Sequence, residues 1–283
     1  LSKILVTGGT GFIGSYLVRS LVKKDNKVVI LDNNYRGSDN NIRDFADKVE
    51  FLQGDIRDSS LVKKAIEGVR TVYHLAFING TETFYSNPDL VLDVGLKGTI
   101  NIIDGIQNSD VENFIYASSS EVYQTPNNIP TYEEEMCKVP DVKNPRYSYG
   151  ASKLIGEIMT LHYLTDKKLS KKIFRPHNIY GPAMGWGHVI PQIMKKICNS
   201  SNFFKEKDIE IQIQGTGEET RAFCYIDDAV QGIMKVAEKG ADGEIYNIGS
   251  EEEVSIKDLI LMIGEILEIK LKLNQGKILP GGT

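Results

Sequence analysis

Cysteine and tryptophan are scarce in this chain of 283 residues, and basic side chains do not outnumber acidic ones. It contains 3 cysteines and 1 tryptophan, and 33 basic against 38 acidic side chains give a formal net charge of -5. The cysteines are odd in number and form no C-x-x-C pair, so they offer no framework for disulfides, zinc or redox chemistry. The lack of a basic excess argues against a nucleic-acid-binding protein.

Long apolar runs are missing as well. The most apolar stretch, "DLILMIGEILEI" at 258–269, is interrupted by acidic residues well before the roughly 18 uninterrupted residues that a membrane span needs. No secretory signal pattern stands at the start of the sequence. With 41% hydrophobic residues, the chain can still bury a large core. We therefore expect a soluble, globular, cytoplasmic protein with neither nucleic-acid nor membrane partners.

Short apolar runs alternate with helical patterns through the N-terminal part of the chain. Because the runs are apolar nearly throughout, they are typical of strands buried on both faces of a parallel sheet. Between the first two runs, Ile13, Leu17 and Leu21 recur at helical spacing. The predicted strands are KILVT (3–7), KVVIL (27–31), VEFLQ (49–53), TVYHLA (71–76) and NFIYAS (113–118).

The alternation becomes irregular in the C-terminal half. Strands are predicted to resume at 171–175 and 244–249, with helices over 149–165, 189–198, 227–238 and 255–267. The pattern predicts an α/β protein, namely a Rossmann-type doubly wound parallel sheet with a smaller C-terminal substrate-binding lobe. Residues 1–175 would form the dinucleotide-binding domain, to which the strand at 244–249 returns, and 176–283 would supply most of the lobe, interleaved with it.

A glycine-rich turn, "TGGTGFIG", directly follows the first predicted strand and opens the first helix. Gly8 would allow the tight turn, Gly11 the approach of a pyrophosphate to the backbone, and Gly14 close helix packing. The N–H groups at the start of the helix would face the anion. Since the strand–turn–helix context is present, the motif predicts a bound dinucleotide.

Two acidic residues follow the second and third strands. Asp32 ends the second strand, where a carboxylate accepts hydrogen bonds from the adenosine ribose and repels a 2′-phosphate, which favours NAD over NADP. Arg36 works against this preference, since arginine pairs with phosphate. Asp55 in "QGDIRD" is a candidate contact for the adenine edge, although "GD" is also ordinary turn chemistry.

Tyr149 and Lys153 in "YSYGASK" are four residues apart at the start of a predicted helix. Residues at this spacing lie on one helical face, so the phenol and the ammonium group would point the same way. Bringing a tyrosine pKa from about 10 towards 7 requires stabilising the phenolate by roughly 4 kcal/mol. One nearby cation lowers a pKa by about 1–3 units, so Lys153 and a positive nicotinamide ring together would suffice.

The glycine turn, "SSSEVY" at 118–123 and Tyr149-x-x-x-Lys153 together resemble the extended short-chain dehydrogenase/reductase family. The chain looks most like the NAD-dependent nucleotide-sugar branch, which includes UDP-glucose 4-epimerases, GDP-mannose 4,6-dehydratases and UDP-glucuronate decarboxylases. "RPHNIYGP" at 175–182 and "GTGEETRAFCYIDDA" at 215–229 match further segments, so the resemblance spans nearly the whole chain.

The resemblance implies roles for these residues. Tyr149 would take the proton from a sugar hydroxyl while hydride passes to NAD, Lys153 would hold the nicotinamide ribose, and Ser119 would hydrogen-bond the same sugar oxygen. Further cofactor contacts are expected at Phe12, Ile13, Ile56 and Ala76. The predicted activity is modification of a nucleotide-activated sugar through a transient 4-keto intermediate. A nucleotide-sensing module without turnover is the alternative from another class, and the intact Ser119, Tyr149 and Lys153 favour the enzyme.

Glu121 and Ser120 bear on which reaction follows the oxidation. By resemblance, Glu121 matches a glutamate that serves dehydratases and decarboxylases as a base or substrate contact, or else it anchors its own loop. Ser120 stands where sugar dehydratases place an aspartate, and serine is a poor proton donor to a leaving hydroxyl. We expect epimerisation or 4,6-dehydration, with decarboxylation of a uronate as the alternative.

Other positions concern the substrate. The resemblance assigns diphosphate contacts to Asn178 and Arg221, and further substrate contacts to Ser120 and Val189. The segment 76–88 would face the sugar, and Gly95 departs from the asparagine that relatives commonly carry. Trp186 would either cap the nucleotide base or pack within the lobe.

Two further expectations concern a metal and a partner chain. His177 and His188 lack a third ligand at metal spacing, so no metal site is expected. By resemblance, a homodimer is expected through helices around 95–108 and 149–165.

Overall fold

A computed structural model describes residues 2–107, 109–164, 168–200 and 208–276. The chain divides into two compact units, which are described separately below. The first unit consists of Leu1–His177 and Tyr225–Ile248, and the second of Asn178–Cys224 and Gly249–Thr283.

The secondary structure follows the predicted alternation through the first unit and becomes sparser in the second. The strands are β1 (Lys3–Thr7), β2 (Lys27–Asp32), β3 (Val49–Gln53), β4 (Thr71–His74), β5 (Asn113–Ala117), β6 (Ser170–Pro176), β7 (Ile179–Tyr180), β8 (Asp208–Gln214), β9 (Thr220–Ala222), β10 (Cys224–Tyr225), β11 (Ile245–Ile248), β12 (Glu253–Ser255) and β13 (Lys270–Gly276). The α-helices are α1 (Phe12–Lys23), α2 (Ser59–Ile66), α3 (Thr81–Ser86), α4 (Pro88–Asp93), α5 (Thr99–Gln107), α6 (Ser148–His162), α7 (Val189–Asn199), α8 (Ile226–Lys239) and α9 (Ile256–Ile266).

The first unit is built on a seven-stranded sheet in the order β11-β6-β5-β4-β1-β2-β3. All six neighbouring pairs are parallel. This confirms the predicted α/β class and Rossmann-type sheet. Since the strands are parallel, their carboxyl ends lie along one edge, called the carboxyl edge below, where ligands bind in open α/β sheets.

The strands are buried because both faces of the sheet are covered by helices. Leu5, Val29 and Phe114 are buried and belong to one apolar cluster with residues of α2 and α5. Burying such side chains contributes about 1.5–3 kcal/mol each to folding, with the extended unfolded chain as the reference. The near-continuous apolar runs of the sequence are therefore explained by two covered faces.

Some predicted boundaries differ from the observed ones. The fourth strand ends at His74 rather than at residue 76, because the backbone N–H of Ala76 bonds to the hydroxyl of Thr7 and leaves the ladder. Helix α6 begins one residue early and ends at His162, and the predicted end at 165 lies outside the described residues. The strand predicted at 244–249 is β11, which pairs with β6, and α8 before it also belongs to the first unit.

The second unit has a core of its own. Strands β8 and β13 pair in parallel, and β9 pairs with β12 in antiparallel register. Isoleucines from α7, β8 and α9 form the apolar cluster, with Ile197 and Ile260 fully buried. None of the helices in the described part of the chain is long and apolar enough to cross a membrane.

Candidate active site

The glycine turn after β1 has the geometry that its sequence predicts. Gly8 has φ +75°, and a Cβ there would lie 2.7 Å from the backbone nitrogen of Ala76, so the position requires glycine. A Cβ on Gly14 would collide with the carbonyl oxygen of Gly8. At Gly11 a Cβ would meet only the carbonyl oxygen of Gly8, at 3.2 Å, which leaves the outer side of the turn open to a ligand.

Helix α1 points its N-terminus at this turn. Its first N–H groups, including those of Phe12 and Ile13, have no partner within the helix, and the helix dipole favours an anion there. The first turn of α1 contains no acidic side chain. The turn and the helix start therefore fit the pyrophosphate of a dinucleotide.

Asp32 lies at the carboxyl end of β2 and is buried. Its carboxylate accepts hydrogen bonds from the backbone N–H groups of Thr10 at 3.0 Å and Asn34 at 2.8 Å. An ionised carboxylate has about four acceptor sites, so two remain for ribose hydroxyls. The carboxylate thus holds the glycine turn while keeping acceptor capacity for a nucleoside.

Asp55 lies just beyond β3 and is tied to its neighbours. Its carboxylate accepts hydrogen bonds from the guanidinium of Arg57 at 2.8 and 3.0 Å and from the side chain of Asn33 at 3.0 Å. The bonds from Arg57 hold the pKa of Asp55 below its usual range. The next residue, Ile56, is buried, and its carbonyl accepts from Asn101 at 3.0 Å. The predicted contacts of Asp55 and Ile56 with the cofactor stay predictions.

Ser119, Tyr149 and Lys153 come together at the carboxyl edge. Ser119 follows β5, and its side chain lies close enough to the phenol of Tyr149 on α6 to lower the pKa of that phenol. One helical turn later, the ammonium nitrogen of Lys153 lies 5.9 Å from the centre of the Tyr149 ring and donates to the carbonyl of Ala117 at 2.6 Å. Tyr149 and Lys153 therefore share one face of α6, as their spacing predicts.

Burial shifts the pKa values of both Tyr149 and Lys153 in the protein alone. Burial raises the pKa of Tyr149 to about 12, and this outweighs the lowering caused by the nearby Ser119 side chain. Burial also lowers the pKa of Lys153 to about 7, against the influence of Glu157. In the protein alone the pKa of Tyr149 is therefore not lowered, because desolvation of the buried phenol exceeds the favourable contacts. The expected lowering by Lys153 together with a positive nicotinamide ring stays a prediction.

Two phenylalanines from the segment 76–88 surround the Tyr149 ring. Phe84 stacks on it with ring centres 5.1 Å apart, and Phe77 meets it edge-on at 5.3 Å. Phe77 also lies against Gly95, where a Cβ would come within 2.5 Å of the ring. The absence of a side chain at position 95 thus makes room for Phe77, a relationship that the sequence does not reveal.

A buried ion pair behind the site was missed by sequence reasoning. Glu157 and Arg175 are 4% and 3% exposed and are joined by two hydrogen bonds of 2.8 and 2.6 Å. Glu157 also accepts a short hydrogen bond from Ser118, which precedes Ser119. The signal was available, since Glu157 repeats the four-residue spacing from Tyr149 to Lys153.

Glu121 has a charged partner. Its carboxylate accepts from the guanidinium of Arg146 at 3.1 Å, and its backbone N–H bonds to the hydroxyl of Ser119. Ser120, half-buried between Ser119 and Glu121, begins a short 3-10 turn. Arg146 was not predicted as a site residue.

The remaining predicted contacts lie in the second unit. Asn178 has φ +41° and donates from its side chain to the carbonyl of Ala222 at 3.1 Å. Arg221 is in β9, Val189 is the first residue of α7, and Trp186 is 72% exposed. The exposure argues against packing of Trp186 into a core. Within the described ranges, no group of three or more histidine, cysteine, aspartate or glutamate side chains is arranged to hold a metal.

The fold and site define a class of protein: a Rossmann-type dinucleotide-binding sheet that carries serine, tyrosine and lysine at its carboxyl edge. The chain belongs to the NAD dependent epimerase/dehydratase family, whose sequence model matches residues 4–249. Membership confirms the predicted family, the predicted NAD cofactor and the prediction that the protein is an enzyme.

The relatives catalyse different reactions. The chain is 30% identical to UDP-N-acetyl-alpha-D-glucosaminuronate decarboxylase of Bacillus cytotoxicus, over 96% of this chain and 82% of the relative. It is 34% identical to a putative UDP-glucose 4-epimerase of Methanocaldococcus jannaschii, over 92% and 81%. It is 33% identical to dTDP-D-glucose 4,6-dehydratase of Bos taurus, over 93% and 73%.

A solved structure of a nucleotide-sugar enzyme also has the same fold. The structure of UDP-glucose 4-epimerase with UDP-glucose from Thermotoga maritima matches with a TM-score of 0.86 and 25% identity, covering 99% of this chain and 87% of that chain.

Proposed function

We propose that this protein is an NAD-dependent enzyme that modifies a nucleoside-diphosphate sugar through a transient 4-keto intermediate. The observation that carries the proposal is the placement of Ser119 close enough to Tyr149 to act on its pKa, with Lys153 one helical turn away, in the same unit as the glycine turn. Epimerases, dehydratases and decarboxylases of the family act on such substrates, as the names of the relatives state.

The cofactor and the chain have separate tasks. Bound NAD supplies the hydride acceptor and a positive charge at the nicotinamide. Gly8, Gly11, Gly14 and the start of α1 would hold its pyrophosphate, and Asp32 its adenosine ribose. Lys153 would bind the nicotinamide ribose.

Tyr149 moves the proton. Its phenolate oxygen takes the proton of the sugar C4 hydroxyl, and the hydroxyl of Ser119 holds the same sugar oxygen. Because burial raises the pKa of Tyr149 to about 12 in the protein alone, ionisation requires a further positive charge close to the ring. Proton transfer is thereby coupled to occupancy of the cofactor site.

Among the two predicted reactions, the residues favour epimerisation. A 4,6-dehydration requires a proton donor for the leaving hydroxyl and a base for C5. Ser120 is a poor donor, and the Glu121 carboxylate is already bonded to Arg146. Epimerisation at C4 requires only that the keto sugar turn over before the hydride returns to its other face. Ser120, Asn178, Val189 and Arg221 are proposed to contact the substrate.

The quaternary state and location form part of the same proposal. Exposed apolar side chains on α5 and α6, namely Ile100, Ile155 and Ile158, support a homodimer through these helices. Cys137 and Cys198 are in no disulfide, which supports a reducing, cytoplasmic environment.

Product analysis in heavy water tests the reaction. The NAD-loaded protein is incubated with UDP- and dTDP-sugars, and products are identified by NMR and mass spectrometry. Inversion at C4 without deuterium supports epimerisation, whereas deuterium at C5 with loss of water indicates dehydration. Tyr149→Phe should abolish conversion and leave NAD bound, because only the hydroxyl is removed. Conversion at an unchanged rate by Tyr149→Phe would refute the mechanism.

A further inference from the structure

Arg36 lies in the loop that follows β2, four residues after Asp32. The backbone on both sides of Arg36 is held against Thr10 of the glycine turn. The hydroxyl of Thr10 donates to the side chain of Asn34 at 2.7 Å, and the backbone N–H of Ser38 donates to the carbonyl of Thr10 at 3.2 Å. The side chain of Arg36 therefore starts from a fixed point beside the glycine turn.

The guanidinium of Arg36 ends on the other side of this turn. A Cβ added to Gly80, in the loop that follows β4, would lie 2.8 Å from Nη1 of Arg36. The charge of Arg36 also reaches Tyr149, where it lowers the pKa of the phenol against the larger raising effect of burial. Because β1 lies between β2 and β4 in the sheet, the side chain crosses the carboxyl end of β1 on its way from Thr10 to Gly80.

The carboxyl end of β1 is where the pyrophosphate of a dinucleotide is expected. The N-terminus of α1 offers backbone N–H groups to an anion there, and its first turn contains no acidic side chain. A guanidinium matches phosphate oxygens with paired donors. Arg36 is exposed, and no carboxylate within the described ranges forms an ion pair with it, so its donors are available to a ligand.

We propose that Arg36 binds the pyrophosphate of NAD and closes the cofactor site on the outer side of the glycine turn. The inference rests on the NAD site of the function proposed above, and it adds a residue that lies outside the glycine motif. Because the guanidinium has to leave the phosphates before the cofactor can leave, Arg36 slows the release of NAD. Slow release suits a reaction in which the hydride taken from the sugar is returned to it.

The position of the guanidinium separates this role from recognition of NADP. The 2′-phosphate of NADP is attached to the adenosine ribose, which is expected at Asp32 on the end of β2. The guanidinium of Arg36 lies beside Gly80 instead, on the far side of β1. Arg36 is thereby assigned to the pyrophosphate, which NAD and NADP share, and the preference for NAD predicted from Asp32 is not weakened by it.

The test measures the affinities of wild type and Arg36→Met for NAD, ADP-ribose and NADP by isothermal titration calorimetry. All three ligands contain the pyrophosphate, ADP-ribose lacks the nicotinamide, and NADP adds the 2′-phosphate. Loss of a charge-assisted contact should weaken each of them by about ten- to hundredfold. Release of NADH, followed by its fluorescence after mixing with excess NAD, should be faster in Arg36→Met by a similar factor.

Two further variants control for charge and folding. Arg36→Lys keeps the charge but not the fork of donors, and it should weaken NAD by only about three- to tenfold. Arg70→Met removes an exposed arginine, paired with Glu112, at the opposite edge of the sheet and should bind NAD like wild type. Thermal unfolding of each free variant identifies loss of structure, and if Arg36→Met does not fold, the Arg36→Lys result decides.

The outcomes are distinct. Equal weakening of the three ligands together with faster release of NADH would support the inference. A loss confined to NADP would assign Arg36 to the 2′-phosphate, and a loss for NAD but not for ADP-ribose would assign it to the nicotinamide end; either result overturns the inference.

Unchanged binding of NAD by Arg36→Met would overturn it as well, while the proposed function stands as long as wild type converts a nucleotide sugar. If wild type does not bind NADP, the role at the 2′-phosphate is excluded and the comparison of NAD with ADP-ribose decides. If wild type binds neither NAD nor ADP-ribose, the proposed function itself fails.

Discussion

The ammonium nitrogen of Lys153 lies 3.7 Å from the centre of the Phe77 ring. This is a cation–π contact on a lysine that is only 2% exposed and whose other bond is to a backbone carbonyl. The ring reaches this position because Gly95 has no side chain to exclude it. A residue of the segment predicted to face the sugar thus contacts the ammonium group of a residue expected to bind the cofactor.

Replacing Phe77 by Leu should lower the pKa of Lys153 further below its value of about 7. A cation–π contact of about 0.5–2 kcal/mol corresponds to roughly 0.4–1.5 units of pKa. NMR titration of lysine-labelled protein without cofactor measures the change, with Lys153→Met to assign the signal. Phe77→Tyr keeps the ring and serves as the control. Identical titrations of wild type and Phe77→Leu would show that the ring does not hold the charge.

Gly95→Ala should destabilise the protein, although alanine normally stabilises a helix by about 0.5–1 kcal/mol relative to glycine. The added Cβ would come within 2.5 Å of the Phe77 ring, and such overpacking costs about 1–3 kcal/mol. Combining it with Phe77→Ala should remove the penalty. Urea unfolding of both single variants and the double variant gives the coupling energy, and additive effects would contradict the contact.

Lys153→Met should stabilise the cofactor-free protein at neutral pH. The pKa of Lys153 falls from 10.5 to about 7 on folding, so the unfolded chain binds more protons between these values and stability rises with pH across that window. The penalty is fully present below pH 7 and is lost above about 10.5, and its removal is worth on the order of 2–4 kcal/mol.

Unfolding free energies at pH 7 and pH 9.5 check this expectation. The gain from Lys153→Met should shrink at the higher pH, whereas Lys63→Met, at an exposed position, should show no such dependence. A gain that is constant with pH would mean that the protonation of Lys153 does not differ between the folded and the unfolded state, and would contradict the prediction.

Glu157→Gln should cost about 3–5 kcal/mol of stability, because it leaves Arg175 buried without a compensating charge. Glu238→Gln removes one partner of an exposed pair with Lys24 and should cost no more than about 1 kcal/mol. Guanidinium unfolding measures both. Equal small losses would indicate that water or a neighbouring group already compensates Arg175.

Local sequence patterns predicted the strands of the large sheet and the glycine turn. Apolar runs located the strands of the sheet, since burial on both faces leaves no polar positions, and β1 was predicted to the residue. The glycine turn was predictable because strand, turn and helix are contiguous. Tyr149 and Lys153 could be paired because helical spacing puts them on one face, and Ser119 was added because the resemblance to the family implied its role.

The second unit and the surroundings of the site could be predicted less well from the sequence. Phe77 and Gly95 are 18 residues apart in the printed sequence, and Glu157 and Arg175 are also 18 apart, so no local pattern pairs them. Arg146 was passed over because a lone arginine in a turn carries no signal until its burial is known.

The sequence by itself determined which chemical groups are present and, through periodicity, which element carries each. Only the tertiary structure decided their charge states and partners. The reason is physical: the pKa values of Tyr149 and Lys153 depend on how completely the folded chain excludes water from them, and that exclusion is produced by residues distant in sequence.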